Sequence, residues 1–389
     1  MNFRYYIPTK IVFGSGRLDK LNKLDLPGKK ALIVTSGGKS VKANGYLERL
    51  EKQLDMAGVG HVLFDKILPN PVKRHVMEGA KMARDNGCDF VIGLGGGSPI
   101  DSSKSIAVMA TNDGDYWDYV VGGSGKEQPV KNDPLPIVAI TTTAGTGTEA
   151  DQWTVITDED TNEKIGFGYE KTFPTLAIVD PELMLTVPPV LTAYQGFDAL
   201  FHSAEGYIAS IASPLGDMMA LESIRLIGKS LAAAVKDGKN LQAREDVAWA
   251  NTLAGMVEAI SSCISEHAME HPMSGHHPEL PHGAGLIMIC ESYFSTIVDS
   301  HACDEKLVNM AKALGKKDAK DPKDFVAALQ CLQKACGVDN LKMSDYGITK
   351  EELPALAKAA RDTMGGLFDL DPTTITQEDV VRIYEESYK

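Results

Sequence analysis

Cysteine is scarce in this sequence, and its cysteines form no recognisable motif. The 389 residues include 6 cysteines, and no two of them are spaced as Cys-x-x-Cys. Their scatter through apolar stretches favours reduced thiols in a cytosolic chain over a disulfide framework. We therefore expect a cytoplasmic protein.

Long apolar runs and an excess of basic residues are also missing. No stretch of about 18 apolar residues is present, so we predict no transmembrane helix. Residues 1–6 lack the apolar run of a signal peptide. The formal net charge of -14 argues against a nucleic-acid partner, because such proteins usually need a basic face. A small anionic cofactor stays compatible, since backbone N–H groups attract it locally.

The length and the order of the local patterns predict two domains. Five strand-like runs alternate with helical patterns, and the first three recur roughly every thirty residues, as in βαβ units of a parallel sheet. These runs are Lys30 to Thr35, His61 to Phe64, Asp89 to Leu94, Pro136 to Thr141 and Leu176 to Val179. Beyond Asp180 amphipathic helices dominate, and one of them starts at Ser213-Pro214. We predict an α/β domain over residues 1–183 and an all-helical domain over residues 184–389.

Two loops rich in small residues follow predicted strands of the α/β domain. The segment from Gly93 to Asp101 opens a helix, where glycine lets the backbone approach a phosphate, although its spacing is not that of the G-x-G-x-x-G fingerprint. The segment from Thr141 to Glu149 offers hydroxyl and N–H groups. Without a bound phosphate, the first loop would be a tight turn between strand and helix, and the second would be a polar turn that caps a helix. Together, at the carboxyl ends of two strands, they favour a dinucleotide.

Histidine is concentrated in one short segment. Five of the nine histidines lie between positions 267 and 282. Asp198 and His202 are four residues apart, as are His267 and His271, a spacing that places each pair on one helix face. Imidazoles with one carboxylate suit Fe(II) or Zn(II). A zincin helix is excluded, because Ala268 and not glutamate follows the first histidine.

The ordered set of motifs resembles the iron-containing alcohol dehydrogenase family, in its butanol dehydrogenase-like and aldehyde reductase-like branch. The resemblance runs along nearly the whole chain. It is carried by Tyr6 to Lys10, Phe13-Gly14, Pro69-Asn70-Pro71, Gly95 to Asp101 with Lys104, Thr142 to Glu149, Lys164, Asp180-Pro181, Gly196-Phe197-Asp198 with His202 and Glu205, His267-x3-His271-Pro272, Pro281-His282-Gly283, Glu378-Asp379 and Tyr384.

The resemblance implies a dehydroquinate synthase-like fold, with a dinucleotide-binding domain followed by a helical metal-binding and catalytic domain, and a dimer. It implies that the metal ligands are Asp198, His202, His267 and His282. It places His271 near the nicotinamide and the substrate. The cofactor positions that it implies are Asn70, Gly95, Gly96, Gly97, Ser98, Asp101, Thr141, Thr142, Thr146 and Lys164.

The chain departs from the family pattern at two places. The separation of His267 from His282 is one residue longer than the family spacing. This makes His277 an alternative metal ligand or a pocket residue. The other interpretation is that His276 and His277 lie in a solvated loop. After the first long strand, the position where NAD-preferring relatives carry an aspartate is Ser36, and Gly38, Lys39 and Ser40 follow. This favours NADP, with NAD(H) still open.

The implied reaction is hydride transfer between NAD(P)(H) and a primary alcohol or aldehyde, with the substrate oxygen on Fe(II) or alternatively Zn(II). His271 would relay the proton or orient its neighbours. Two other classes stay open at this point. One is a metal-dependent lyase or hydrolase on a related scaffold, and the other is a protein that binds metal or nucleotide without catalysis.

Overall fold

The computed structural model describes residues 3–389, and residues 1 and 2 of the N-terminal stretch considered above lie outside that range. The chain forms two compact units. One comprises Ile7–Thr143 and Gly147–Thr186, and the other comprises Val187–Lys389 with residues 3–6 and Ala144–Thr146. The chain passes between them after Thr186, close to the predicted residue 183. The short segment Ala144–Thr146 belongs to the helical unit, which the sequence did not predict.

The first unit contains a six-stranded parallel sheet in the order β1-β8-β5-β4-β2-β3, with a separate antiparallel hairpin of β6 and β7. The parallel sheet of an α/β domain is confirmed. Its elements are β1 (Lys10–Phe13), β2 (Lys30–Ser36), α1 (Ser40–Ala43), α2 (Tyr46–Met56), β3 (Gly60–Ile67), α3 (Lys73–Asp85), β4 (Phe90–Gly95), α4 (Gly97–Thr111), β5 (Ile137–Thr141), β6 (Thr154–Asp158), β7 (Glu163–Phe167) and β8 (Leu176–Val179), with 3-10 turns at Leu18–Lys23, Tyr116–Asp118 and Pro181–Met184.

The predicted strand runs correspond to β2, β3, β4, β5 and β8. All residues of β4, β5 and β8 are buried, because helices and connecting segments cover a parallel sheet on both faces. Strand β1 and the hairpin were not predicted. Strand β1 has only four residues at the sheet edge, and none of them is fully buried, so it carries no long apolar run.

The second unit is helical, as predicted. It contains α5 (Pro189–Ile208), α6 (Pro214–Lys236), α7 (Leu241–Ser261), α8 (Ser265–His276), α9 (His282–Ser300), α10 (Asp304–Ala313), α11 (Lys323–Cys336), α12 (Leu353–Phe368) and α13 (Gln377–Ser387), with 3-10 turns at Met343–Tyr346 and Lys350–Glu352. The start predicted at Ser213 is confirmed, because its side chain accepts a hydrogen bond from Gly216 N–H at 3.2 Å.

Hydropathy of the described residues identifies no single helix that is long and apolar enough to cross a membrane. Helices α7 and α8 reach the length and apolar character of a membrane span only when they are taken together, and the two helices are bent by 109° at their junction. Both helices are largely buried inside the helical unit.

Candidate functional site

Three helices of the second unit carry the residues predicted to bind a metal. Asp198 and His202 lie one turn apart on α5, and His267 and His271 lie one turn apart on α8. His282 is the first residue of α9, directly after Pro281. The helical spacing that was expected for the two pairs is therefore present, and helix packing brings His282 to the same place.

Three imidazole nitrogens converge on one carboxylate oxygen. Asp198 Oδ1 lies 3.7 Å from His202 Nδ1, 3.6 Å from His267 Nε2 and 3.6 Å from His282 Nε2. The rings of His202 and His267 stack with their centroids 4.3 Å apart. Asp198, His202 and His267 are each at most 5% exposed, so the cluster is largely desolvated.

The donor atoms of this cluster fit a divalent cation. Within residues 3–389, Asp198 Oδ1, His202 Nδ1 and His267 Nε2 are buried without a hydrogen-bond partner. Such atoms cost roughly 1–3 kcal/mol each unless something binds them. Asp198, His267 and His282 offer ligand atoms that lie within 4.8 Å of one another. Two or three imidazoles with one carboxylate are a ligand set for zinc or iron, and not for magnesium or calcium.

The electrostatics of the cluster differ among its members. Burial by itself lowers the pKa of His267, but its contacts with Glu205 and Asp198 outweigh burial and raise that pKa well above its ordinary value. Burial by itself raises the pKa of Asp198, but the neighbouring histidines outweigh burial and hold that pKa well below its ordinary value. Burial, with the charge of His267, lowers the pKa of His202 to about 3. Asp198 is therefore a carboxylate and His202 a neutral imidazole near neutral pH, and these are the forms that bind metals.

His271 and His277 occupy different surroundings. The ring of His271 is buried on α8, 5.5 Å from the ring of His282. His277 follows the end of α8, and its Nε2 lies 3.1 Å from Glu352 Oε1. The structure thus pairs His277 with Glu352, whereas His282 faces Asp198. His276, just before it, is exposed.

Buried glutamates behind the histidines were missed as site residues by the sequence reasoning. Glu205 contacts Nδ1 of His267, and Glu270 contacts Nδ1 of His282. Glu205 stands in the family motif three residues after His202, and Glu270 stands three residues after His267. The sequence signal that could have identified these site residues is a glutamate one helical turn after a candidate histidine ligand.

The predicted cofactor loops meet at the carboxyl edge of the parallel sheet. Gly95 pairs with Thr141 across β4 and β5, and Thr142 N–H donates to Gly95 C=O at 2.8 Å. Ser98, at the start of α4, donates to the carbonyl of Pro69, next to Asn70. The loops after β3, β4 and β5 therefore lie side by side, as a dinucleotide site requires.

Glycine is required at the tip of the first loop. Gly95 has φ +152°, and a Cβ there would lie 2.7 Å from Pro99 Cγ. A Cβ at Gly96 would lie 2.9 Å from Thr143 Oγ1. Gly97 begins α4, so backbone N–H groups at its N-terminus are available to an anion.

Asp101 anchors the loop within the protein. Its Oδ1 accepts from the Thr148 hydroxyl at 2.7 Å, and its Oδ2 accepts from Val155 N–H at 2.9 Å. The Thr148 hydroxyl also accepts from the buried ammonium of Lys104 at 2.7 Å, and that ammonium pairs with Asp151 at 2.9 Å. Burial raises the pKa of Asp101 to about 6. Both oxygens of the predicted cofactor residue are thus committed to protein donors.

The other predicted cofactor positions lie on several elements. Ser36 ends β2, and the exposed residues Gly38, Lys39 and Ser40 lead into α1. Lys164 is buried in β7, opposite Thr157. Thr146 lies in the short segment Ala144–Thr146, which belongs to the helical unit.

Known proteins resemble the chain along its whole length. Residues 8–181 match the model of iron-containing alcohol dehydrogenases, and residues 192–388 match that of the C-terminal region of the Fe-containing alcohol dehydrogenase family. Alcohol dehydrogenase 4 of Saccharomyces cerevisiae is 35% identical over 99% of this chain and 98% of its own. NADH-dependent butanol dehydrogenase A of Clostridium acetobutylicum is 31% identical over 100% of both chains.

A solved structure shows the same fold. An archaeal halo-thermophilic alcohol dehydrogenase from a Red Sea brine pool superposes with a TM-score of 0.94 and 34% identity, over 100% of this chain and 99% of that one. The predicted fold and the predicted resemblance are thereby confirmed. The chain belongs to the iron-containing alcohol dehydrogenase family, whose members are oxidoreductases acting on alcohols.

Proposed function

We propose that this protein transfers a hydride between NAD(P)(H) and a primary alcohol or aldehyde, with a divalent metal held by Asp198, His202, His267 and His282. The observation that carries the proposal is the convergence of three imidazole nitrogens on the buried Asp198 Oδ1. Fe(II) is the metal that the family name indicates, and Zn(II) suits the same donors. The alternative of a hydrolase leaves the loops at the sheet edge without a role.

The metal ligands, His271 and the glycine loop have different roles in the proposed reaction. A divalent ion bound here supplies a Lewis acid for the substrate oxygen. The four ligands hold that ion in a desolvated place, where charge interactions are strong. We assign to His271 the transfer of a proton to solvent. It lies beside the cluster of Asp198, His202, His267 and His282 but is not one of these four candidate ligands. Gly95, Gly96, Gly97 and Ser98 present the N-terminus of α4 to the pyrophosphate.

The test is turnover of short primary alcohols and aldehydes with NAD(H) and NADP(H), after loading the metal-free protein with Fe(II) or with Zn(II). We expect nicotinamide absorbance to change only with both substrate and metal present, and Asp198→Ala to lose bound metal. Reaction without nucleotide would instead support a lyase or hydrolase. Binding of metal and nucleotide with no turnover of any substrate would support a non-catalytic role.

The segment after β2 supports use of NADP(H). Ser36 provides a hydroxyl and no negative charge at the end of β2, and Lys39 follows three residues later. Asp65 on the adjacent β3 is paired with Lys42, so its charge is compensated. A 2′-phosphate therefore meets little repulsion here.

Ser36→Asp is expected to shift preference toward NAD(H). A carboxylate at this position would repel the 2′-phosphate, and about 1.4 kcal/mol of repulsion weakens NADP(H) binding roughly tenfold. The measurement is the ratio of kcat/KM values for the two cofactors. Ser36→Asn, which adds similar bulk without charge, serves as the control and should leave the ratio near that of the wild type. An unchanged ratio in Ser36→Asp would contradict the assignment of Ser36 to the ribose site.

Cellular location and assembly are also proposals. All six cysteines are free thiols, which suits a reducing, cytoplasmic compartment. The family resemblance suggests a dimer, and light scattering of the purified protein tests this directly.

A further inference from the structure

Two fully buried glutamates stand directly behind the histidines of the candidate metal centre. Glu205 lies on α5 and Glu270 on α8, and both are 0% exposed. Glu205 Oε1 contacts His267 Nδ1, and Glu270 Oε2 contacts His282 Nδ1. In both histidines the other nitrogen, Nε2, is the one that faces Asp198.

Glu205 is itself held in place by the backbone. Its second oxygen, Oε2, accepts a hydrogen bond from Ile264 N–H at 2.6 Å. This bond ties the carboxylate to the start of α8, three residues before His267. A buried carboxylate with two such partners has little rotational freedom, so it sets the orientation of the ring that it contacts.

Glu270 occupies a space that a glycine of α9 provides. A Cβ on Gly285 would lie 2.7 Å from Glu270 Oε1 and 2.8 Å from its Cγ. Gly285 is three residues after His282, so it lies on the same side of α9 as that histidine. The bare backbone at Gly285 therefore permits Glu270 to reach the histidine.

We propose that Glu205 and Glu270 are positioning residues for the metal centre, which hold His267 and His282 with the lone pair of Nε2 directed at the cation. A carboxylate oxygen that contacts Nδ1 accepts a hydrogen bond from the ring N–H, so each contact places the histidine proton on Nδ1 and leaves Nε2 free to coordinate. The inference rests on the proposed function, because it assumes that these histidines bind a metal.

His202 provides an internal comparison. Its Nε2 lies 3.6 Å from Glu258 Oε2, which is too far for a hydrogen bond, and it faces Asp198 with Nδ1. The contact of this ring with a carboxylate therefore differs from those of His267 and His282. Glu258 should therefore matter less for metal affinity than Glu205 or Glu270.

The experiment measures the affinity of the metal-free protein for Co(II), by competition with a chelator, together with the absorption spectrum of the Co(II) protein. Glu205→Gln and Glu270→Gln keep side-chain volume and remove the charge. We expect each to weaken Co(II) binding about 10–100-fold and to alter the ligand-field bands. Glu258→Gln should have a smaller effect. Circular dichroism and thermal unfolding of the metal-free variants verify that each is folded.

Gly285→Ala tests the same contact without changing either partner. Alanine is favoured over glycine in a helix interior, yet its Cβ would displace Glu270 from His282. We expect weaker Co(II) binding, and the double variant with Glu270→Gln should be no weaker than the single variants, because both disrupt one contact.

Asp371→Asn is the matched control. This buried carboxylate of the same unit accepts from the Tyr293 hydroxyl at 3.0 Å and from Ser265 N–H at 3.3 Å. Its variant should bind Co(II) as the wild type does. Wild-type affinity and spectra in both Glu205→Gln and Glu270→Gln would overturn the positioning role, as would an equal loss in Asp371→Asn.

Asp198→Ala separates this inference from the proposed function. If Asp198→Ala loses Co(II) and the glutamate variants do not, only the positioning role is wrong. If Asp198→Ala binds Co(II) like the wild type, the ligand set itself is wrong and the positioning role falls with it.

Discussion

Replacing His282 with alanine is expected to abolish turnover and metal binding while leaving nucleotide binding largely intact. The change removes one of the three imidazoles that face Asp198 Oδ1, at 3.6 Å from that oxygen. Metal polarisation of the substrate oxygen contributes several kcal/mol to such reactions, so we expect kcat to fall by roughly a thousandfold or more. The first predicted nucleotide loop, Gly93 to Asp101, lies in the other compact unit and should keep its structure.

The measurements for this variant are metal content per chain, kcat, and nicotinamide binding followed by fluorescence. His277→Ala is the matched control, since His277 is paired with Glu352 and follows the same helix. We expect His277→Ala to keep its metal. Loss of metal in His277→Ala together with retention in His282→Ala would show that the alternative ligand is the correct one.

Gly96→Val is expected to prevent cofactor binding while the metal stays in place. A Cβ at this position would already lie 2.9 Å from Thr143 Oγ1 and 3.1 Å from Thr143 Cγ2, and the two methyl groups of valine extend further. The loop must then move away from the second loop, so backbone N–H groups no longer meet the phosphates. We expect the cofactor dissociation constant to rise by about 100-fold or more, equivalent to roughly 2.7 kcal/mol.

Titration of the variant with NAD(H) and NADP(H), alongside its metal content, checks this expectation. Gly365→Val is the control, because a Cβ at Gly365 meets nothing within 4 Å. Cofactor affinity equal to the wild type in a folded Gly96→Val protein would remove the glycine loop from the proposed binding site.

Local patterns in the sequence were sufficient for the main features of both units. The apolar run from Asp89 to Leu94 predicted a strand, and the structure has β4 there. Such runs are informative because a strand covered on both faces is apolar along its whole length. The cap at Ser213 predicted the start of α6, since capping depends on residues close in sequence. Strand β1 was missed, because a short edge strand with partly exposed side chains lacks such a signal.

The sequence by itself determined the residue types of the candidate centre and the helical spacing of Asp198 with His202 and of His267 with His271. Only the tertiary structure decided that His282 and not His277 faces Asp198, because that choice depends on where α9 begins relative to α8. It also decided that both oxygens of Asp101 are committed to Thr148 and Val155. These contacts join residues that are distant in the chain, and such residues meet only when separate helices and strands pack together. Local periodicity carries no information about which nitrogen or oxygen then faces which partner.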